Sequence, residues 1–206
     1  MQVSKTFNHD RALPEAMKTI KLARFPRTKH MEGDEPACIA AAIENVVRYH
    51  GGKLSHEDIR RWCIDRHGCM DDIDLEKTRQ ILEENCNDDL AYTVIDKRTC
   101  NAIKSEEDLL GLARRAIDLD SPVIVEMNFP SCLYLPSYST ASERYVLTIL
   151  GASENHVMIW DTNPGVLSLP IVVSKEWMAD HMVSRCTSLW IIPRERESDV
   201  EALCTE

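Results

Sequence analysis

The sequence lacks any long hydrophobic run. No apolar stretch in its 206 residues approaches the ~20 residues that a membrane-spanning helix needs. The N-terminal stretch MQVSKTFNHDRALPEAMK also lacks the apolar middle of a secretory signal peptide. We therefore expect a cytoplasmic protein that has no membrane partner.

Basic residues are fewer than acidic residues. The chain has 24 Lys and Arg against 34 Asp and Glu, which gives a formal net charge of −10. Binding to nucleic-acid phosphates needs clustered Lys and Arg, so we expect no nucleic-acid partner. The hydrophobic content of 44% and charged content of 28% are those of an ordinary globular protein. The length suits one domain that fills its core without disulfides.

Paired cysteines of the CxxC type are absent. Since we expect no secretory signal, we expect reduced thiols. A closed zinc site would need a fourth ligand beside Cys63, His67 and Cys69, and tighter paired spacing. We therefore expect no metal and no cofactor. The eight cysteines stand at positions 38, 63, 69, 86, 100, 132, 186 and 204.

Charge and pattern divide the chain into three parts. Residues 1–30 form a basic, extended lead-in that can include a short helix over 14–20. Residues 31–194 carry the regular patterns of a folded domain, and residues 195–206 form a charged tail that we expect to be mobile. The lead-in is either a solvated face or a segment that docks on a partner or a neighbouring subunit.

Helical spacing dominates the first half of the domain. In CIAAAIENVVRYHGG the apolar residues recur at helical spacing, and Gly51 and Gly52 supply the stop. Cys38 therefore lies in the first turn of a buried helix. Ser55 caps a second helix in LSHEDIRRWCIDRHG. Two further helices are predicted, in DLEKTRQILEENCN and SEEDLLGLARRAIDLD.

Strand patterns dominate the second half. The segments RYVLTILG and HVMIWDT, joined by ASEN, predict a β-hairpin. Because helices come first and antiparallel strands follow, we predict an α+β fold with N-terminal helices packed on a C-terminal antiparallel sheet. The other predicted strands lie in LAYTVID, SPVIVEMNF, LSLPIVVS and RCTSLWIIPRE.

This order of motifs resembles the papain-like cysteine peptidases, and more closely their C39-like branch. The resemblance covers residues 30–193. It implies a papain-like fold over 31–194 whose active-site cysteine, Cys38, opens a helix, while Asp161 orients the catalytic base. The matching segments are DEPACIAAAIENVVRYHGG, LSHEDIRRW, LARRAIDLDSPVIVEM and RYVLTILGASENHVMIWDTNPG.

The chemistry of such a site explains these residue types. Unpaired N–H groups and the helix dipole favour a thiolate at a helix N-terminus. A histidine takes the thiol proton, and an Asp or Asn orients the imidazole. In the family, a Gln about six residues before the cysteine donates to the oxyanion.

The sequence departs from this pattern at each remaining site position. Glu32 stands where the family has Gln, and Ile39 where it commonly has Gly. The position of the catalytic histidine falls on Tyr145, or on Arg144 after a shift of one residue. A carboxylate at Glu32 would repel an oxyanion. We also consider that Glu32 pairs with Arg144, or that Arg144 lowers the pKa of Cys38.

Two histidines are alternatives for the missing base. His156 lies five residues before Asp161 on one predicted strand, which separates the two by about 16 Å on opposite faces. We therefore expect His156 near the hairpin turn and far from Cys38. His30 lies eight residues before Cys38 and is able to fold back towards it.

These departures leave two interpretations. We favour a decayed protease site that serves as a binding or regulatory module for a peptide or protein ligand in the cleft. The alternative is an active thiol peptidase or amidase, with Cys38 as nucleophile, Asp161 as orienter and an atypical base. Both residues also have purely structural readings, Cys38 as a small buried residue and Asp161 as a turn former. A zinc or redox protein is a weaker third class, and the sequence leaves the oligomeric state open.

Overall fold

The computed structural model of the chain describes residues 16–29, 37–68, 73, 75–86, 92–96, 106–128, 144–162, 169–177 and 187–193. Its helices are α1 (Ala37–Tyr49), α2 (His56–His67), α3 (Leu75–Asn85) and α4 (Glu106–Asp118). Its strands are β1 (Lys18–Thr19), β2 (Tyr92–Asp96), β3 (Val123–Asn128), β4 (Arg144–Ala152), β5 (His156–Asp161), β6 (Ile171–Ser174) and β7 (Thr187–Pro193).

The strands form one antiparallel sheet in the order β2–β7–β3–β4–β5–β6, and β1 pairs with β4. Strand alternation sends Val146 and Leu147 to opposite faces. Val146 packs in the cluster that contains α1 residues, whereas Leu147 packs in the cluster that contains α4 residues. The predicted α+β fold is therefore confirmed, with helices covering both faces of the sheet.

Local signals in the sequence account for the ends of α2. The Ser55 hydroxyl accepts a hydrogen bond from the Asp58 backbone, and the Asp58 carboxylate accepts one from the Ser55 backbone. Gly68 ends the helix with φ +74°, a conformation that glycine adopts without strain. Within the described ranges, no helix is long and apolar enough to span a membrane.

The lead-in packs on the domain through residues that the sequence did not single out. The short helix expected over 14–20 is wrong for its described part, because Lys18 and Thr19 pair with β4 at Ala152 and Gly151. A β-carbon on Gly151 would lie 2.9 Å from the Lys18 carbonyl oxygen. The missing side chain of Gly151 thus permits the close approach of β1.

The lead-in then enters the core. Ile20 is 2% exposed and Phe25 is 4% exposed. The backbone N–H of Lys21 donates to the Tyr49 hydroxyl at 3.0 Å, and that hydroxyl donates to Asp120. These contacts bind the lead-in to the ends of α1 and α4. The predicted tail over 195–206 lies outside the described residues.

The β4–β5 hairpin positions the candidate site. Its pairing runs from Ala152–Val157 to Leu147–Asp161, with a bulge between Ile149 and Gly151. Strand β4 continues to Arg144, three residues beyond that last pair, Leu147–Asp161. The hairpin predicted from the sequence is confirmed. In space, the end of its second strand lies beside the start of α1.

Candidate active site

Cys38 is the second residue of α1 and lies beside the end of β5. The hydroxyl of Thr162, the residue that follows β5, donates to the Cys38 carbonyl oxygen at 3.3 Å. Thr162 is fully buried, while Cys38 is half-buried. The start of the helix and the end of the hairpin therefore meet at the cysteine.

Opposing effects act on the Cys38 thiol. Burial raises its pKa, and the negative charge of Asp161 raises it further. Hydrogen bonds from the backbone N–H groups of Ile39, Val146 and Cys38 itself work in the other direction. Burial and Asp161 prevail, and the pKa of Cys38 is raised to about 11. The thiol is therefore protonated at neutral pH.

Asp161 is the last residue of β5 and is 4% exposed. Its partner across the hairpin is Leu147. Its charge acts on Cys38 and also on Lys29. The structure thus brings together the two residues, Cys38 and Asp161, that the family resemblance placed in one site.

The side chains of the other three predicted site residues are not among those that the structure describes. Glu32 lies outside the described residues. Arg144 and Tyr145 open β4 opposite Asn128 and Met127, but their side chains lie outside the described part of the chain. Their roles beside the cysteine, and a Glu32–Arg144 pair, remain predictions.

The described histidines contact other parts of the molecule. His156 lies next to the hairpin turn, as predicted, where its carbonyl oxygen accepts from the Ser153 backbone N–H at 2.8 Å. His30 lies outside the described residues. The remaining contacts are His56 Nδ1 to a Glu44 carboxylate oxygen at 2.6 Å, His50 to the Tyr49 ring at 5.3 Å and His67 to the Trp62 ring at 5.3 Å.

The sequence reasoning missed Lys29 and Thr162. Lys29 lies in the lead-in, with its Nζ atom 5.1 Å from the centre of the Trp160 ring. Burial lowers the pKa of Lys29, and the charge of Asp161 raises it. Tertiary packing brings Lys29 to the Trp160 ring, and no local sequence pattern predicts such a contact. Thr162, in contrast, directly follows the predicted site residue Asp161, and this adjacency could have identified it.

No group of three His, Cys, Asp or Glu residues within the described ranges is arranged to hold a metal ion. Cys63, the first residue of the triplet considered above, is 2% exposed and packs in the hydrophobic core. Cys69 lies outside the described residues.

Neither a protein-family model nor a curated protein matches the sequence. Solved structures do resemble the fold. The peptidase domain of Streptococcus ComA, a bifunctional ABC transporter involved in a quorum-sensing pathway, matches with 15% identity and a TM-score of 0.53. The match covers 81% of this chain and 97% of that domain. The chain has the C39-like, papain-like fold.

A C39-like peptidase from Bacillus anthracis matches to the same degree. Its identity is 13% and its TM-score 0.52, over 86% of this chain and 98% of that one. These similarities confirm the fold expected from the sequence. At such low identities they bear on the fold alone, so the activity has to be argued from the site itself.

Proposed function

We propose that this chain is a binding module with the C39-like fold, in which the hydrolytic site has decayed. The module holds a peptide or protein ligand in the cleft beside Cys38. The state of the thiol carries the proposal. Burial and the charge of Asp161 raise the pKa of Cys38 to about 11, so the neutral thiol predominates at neutral pH.

A working thiol hydrolase needs an environment that favours the thiolate over the neutral thiol. Its nucleophile is a thiolate, which a nearby protonated histidine stabilises. Here the charge of Asp161 opposes ionisation of the Cys38 thiol, and the described histidines contact Glu44, Tyr49, Trp62 and the hairpin turn. A carboxylate next to a thiol makes ionisation harder, because two negative charges repel.

The sequence supports the same proposal independently. Tyr145 and Arg144 occupy the positions at which the family resemblance places the catalytic histidine, and Glu32 occupies that of the oxyanion glutamine. Losing base and oxyanion donor together is expected after selection for hydrolysis has ended. A fold can serve binding once its chemistry is gone, because function depends on the site and not on the fold.

The second candidate is an active thiol peptidase or amidase, and one observation favours it. The backbone N–H groups of Cys38, Ile39 and Val146 act to lower the pKa of the Cys38 thiol. Such donors stabilise a thiolate or a developing oxyanion. In this alternative Cys38 is the nucleophile, Asp161 the orienter, and His30 or a partner chain supplies the imidazole.

Hydrolysis assays separate the two candidates. Purified protein is incubated with a peptide library and with simple amides, alongside Cys38→Ala and a Cys63→Ala control that removes another thiol. We expect no cleavage above that of Cys38→Ala. Cleavage by wild type and Cys63→Ala that disappears in Cys38→Ala would overturn the proposal, and its loss in His30→Ala would identify the base.

Ligand binding is tested separately from hydrolysis. Peptides captured from a library by immobilised protein are assayed against wild type and Cys38→Ala by calorimetry. The proposal expects equal affinities, because the thiol takes no covalent part. Capture of no peptide by either protein would contradict the binding role.

A further inference from the structure

We propose that Thr162 is a positioning residue of the candidate site: its hydroxyl ties the first turn of α1 to the end of β5 and thereby keeps the Cys38 thiol shielded. This inference rests on Cys38 as the centre of the proposed site, but not on the loss of hydrolysis. It assigns a role to a residue that follows Asp161 in the chain and that was not among the site residues predicted from the sequence.

The contact between Thr162 and Cys38 is direct. The Thr162 hydroxyl donates to the Cys38 carbonyl oxygen at 3.3 Å, and the two residues are 124 positions apart in the chain. Thr162 is 0% exposed. A buried hydroxyl without an acceptor is costly, so this hydrogen bond favours one placement of the first turn of α1 against the end of β5.

Other contacts hold the rest of α1. The Thr28 N–H donates to Asn45 Oδ1 at 2.7 Å, and Asn45 Nδ2 donates to the Thr28 carbonyl oxygen at 2.9 Å. Glu44 accepts from the His56 backbone N–H at 2.9 Å. These contacts lie beyond the first turn of the helix and do not involve Thr162. Loss of the Thr162 hydroxyl is therefore expected to loosen the first turn alone.

Shielding controls the reactivity of the thiol. Cys38 is half-buried, and burial is the largest of the causes that raise its pKa. Only the thiolate reacts with an alkylating reagent. A looser first turn would bring water to the sulfur, which stabilises the thiolate, and would also admit the reagent. Both effects increase the rate of alkylation.

A purely structural role makes a different prediction. If the hydroxyl contributed only to overall stability, its loss would favour global unfolding, and every buried thiol would react faster. Cys63 is 2% exposed and packs in the core cluster that contains α1 residues, so it reports global opening in the same sample. The measurement is the rate of alkylation by iodoacetamide at Cys38 compared with that at Cys63, followed by peptide mass spectrometry.

The variants are Thr162→Val and Thr162→Ser, and the matched control is Thr148→Val. Thr148 is also 0% exposed, and its hydroxyl has no hydrogen-bond partner among the described residues. The control thus makes the same change at equal burial without removing a bond to Cys38. We expect Thr162→Val to speed Cys38 alkylation about three- to tenfold at fixed pH, which is the effect of one hydrogen bond on a local opening equilibrium.

The remaining rates separate a local effect from a global one. Thr162→Ser keeps the hydroxyl, so it and Thr148→Val should leave the Cys38 rate within about twofold of wild type. The Cys63 rate should stay unchanged in Thr162→Val. An unchanged Cys38 rate in that variant, or equal acceleration at Cys38 and Cys63, would overturn the inference. Hydrolysis assays play no part here, so this result and the test of the proposed function stand apart.

A second measurement needs no variant of Thr162 to fold. A hydroxyl proton that is buried and hydrogen-bonded exchanges slowly with water and can be observed by NMR. In the wild-type protein we expect a resolved Thr162 hydroxyl proton with nuclear Overhauser contacts to Cys38. A Thr162 hydroxyl proton that exchanges with water too fast to be observed would contradict the inference.

Discussion

Two buried carboxylates, Glu44 and Asp161, have very different surroundings. They are 3% and 4% exposed respectively. Glu44 accepts hydrogen bonds from the His56 backbone at 2.9 Å, from Arg48 at 2.7 Å and from the Thr28 hydroxyl at 3.2 Å. The His56 ring nitrogen Nδ1 also lies 2.6 Å from it. Glu44 is a charge whose burial is fully compensated.

The charge of Asp161 instead acts on a thiol and on an ammonium group. Its charge raises the pKa of Cys38 and that of Lys29. The comparison leads us to predict that Glu44 serves the structure and that Asp161 serves the proposed site.

The largest effect is expected from Glu44→Ala. Truncation leaves His56 and Arg48 without their buried acceptor, and losing charge-assisted hydrogen bonds in a buried place costs about 3 kcal/mol. Urea unfolding measures the change. The matched control is Glu83→Ala, at an exposed glutamate of α3, which should change the free energy of unfolding by less than about 0.5 kcal/mol. Equal effects would remove the contrast.

The loss of unfolding free energy at acid pH should also depend on Glu44. Burial opposes its charged form, but hydrogen bonds from the His56 backbone, the His56 ring and Arg48 hold its pKa below the ordinary value of 4.5. A carboxylate whose pKa is lowered by folding contributes stability. This contribution is complete above the ordinary, unfolded-state pKa and is lost as the pH falls through the folded-state pKa. Glu44→Gln should therefore lose less stability than wild type when the pH falls below about 5.

Unfolding curves collected from pH 3 to pH 7 check this prediction. The difference between wild type and Glu44→Gln isolates one group, because other carboxylates titrate alike in both proteins. If the unfolding free energies of the two proteins fell equally with decreasing pH, Glu44 would not be held in its charged form.

Asp161→Asn should affect stability much less than Glu44→Ala. The amide keeps the shape of the side chain and removes a buried charge, so we expect a change within about 1 kcal/mol. Urea unfolding beside Asp65→Asn, at an exposed aspartate of α2, provides the measurement. A loss as large as that of Glu44→Ala would make Asp161 a structural carboxylate after all.

The smallest effect is expected from Thr28→Val. It removes the 3.2 Å hydrogen bond to Glu44 but leaves the two backbone bonds of Thr28 with Asn45 in place. We expect a loss of about 0.5–1 kcal/mol, the net contribution of one hydrogen bond. Thr28→Ser, which keeps the hydroxyl, is the control. A loss above that of Glu44→Ala would mean that Thr28 supports more than Glu44.

Much of the fold was predictable because its signals are local. The alternation of RYVLTILG and HVMIWDT around ASEN gave the hairpin, and the Ser55–Asp58 capping box gave the start of α2. The position of Cys38 at the head of a helix followed from apolar spacing in CIAAAIENVV. Such patterns depend on neighbours within a few residues, and they survive folding unchanged.

The features that were missed depend on contacts between distant residues. Strand β1 exists because Lys18 and Thr19 meet β4 at a bulge beside Gly151, which overrides any local helical preference. Lys29 lies over the Trp160 ring, and Asn45 holds its neighbour Thr28. Neither a two-residue strand nor a single lysine leaves a periodic trace in the sequence.

The pH dependence of Cys38 alkylation in the wild-type protein tests the central claim most directly. Burial and Asp161 raise the pKa of this thiol to about 11, so the rate should still rise about tenfold per pH unit through pH 9. A rate that levels off at or below pH 9.0, the ordinary value for a cysteine, would contradict the account. It would show that Cys38 is activated as in a working hydrolase.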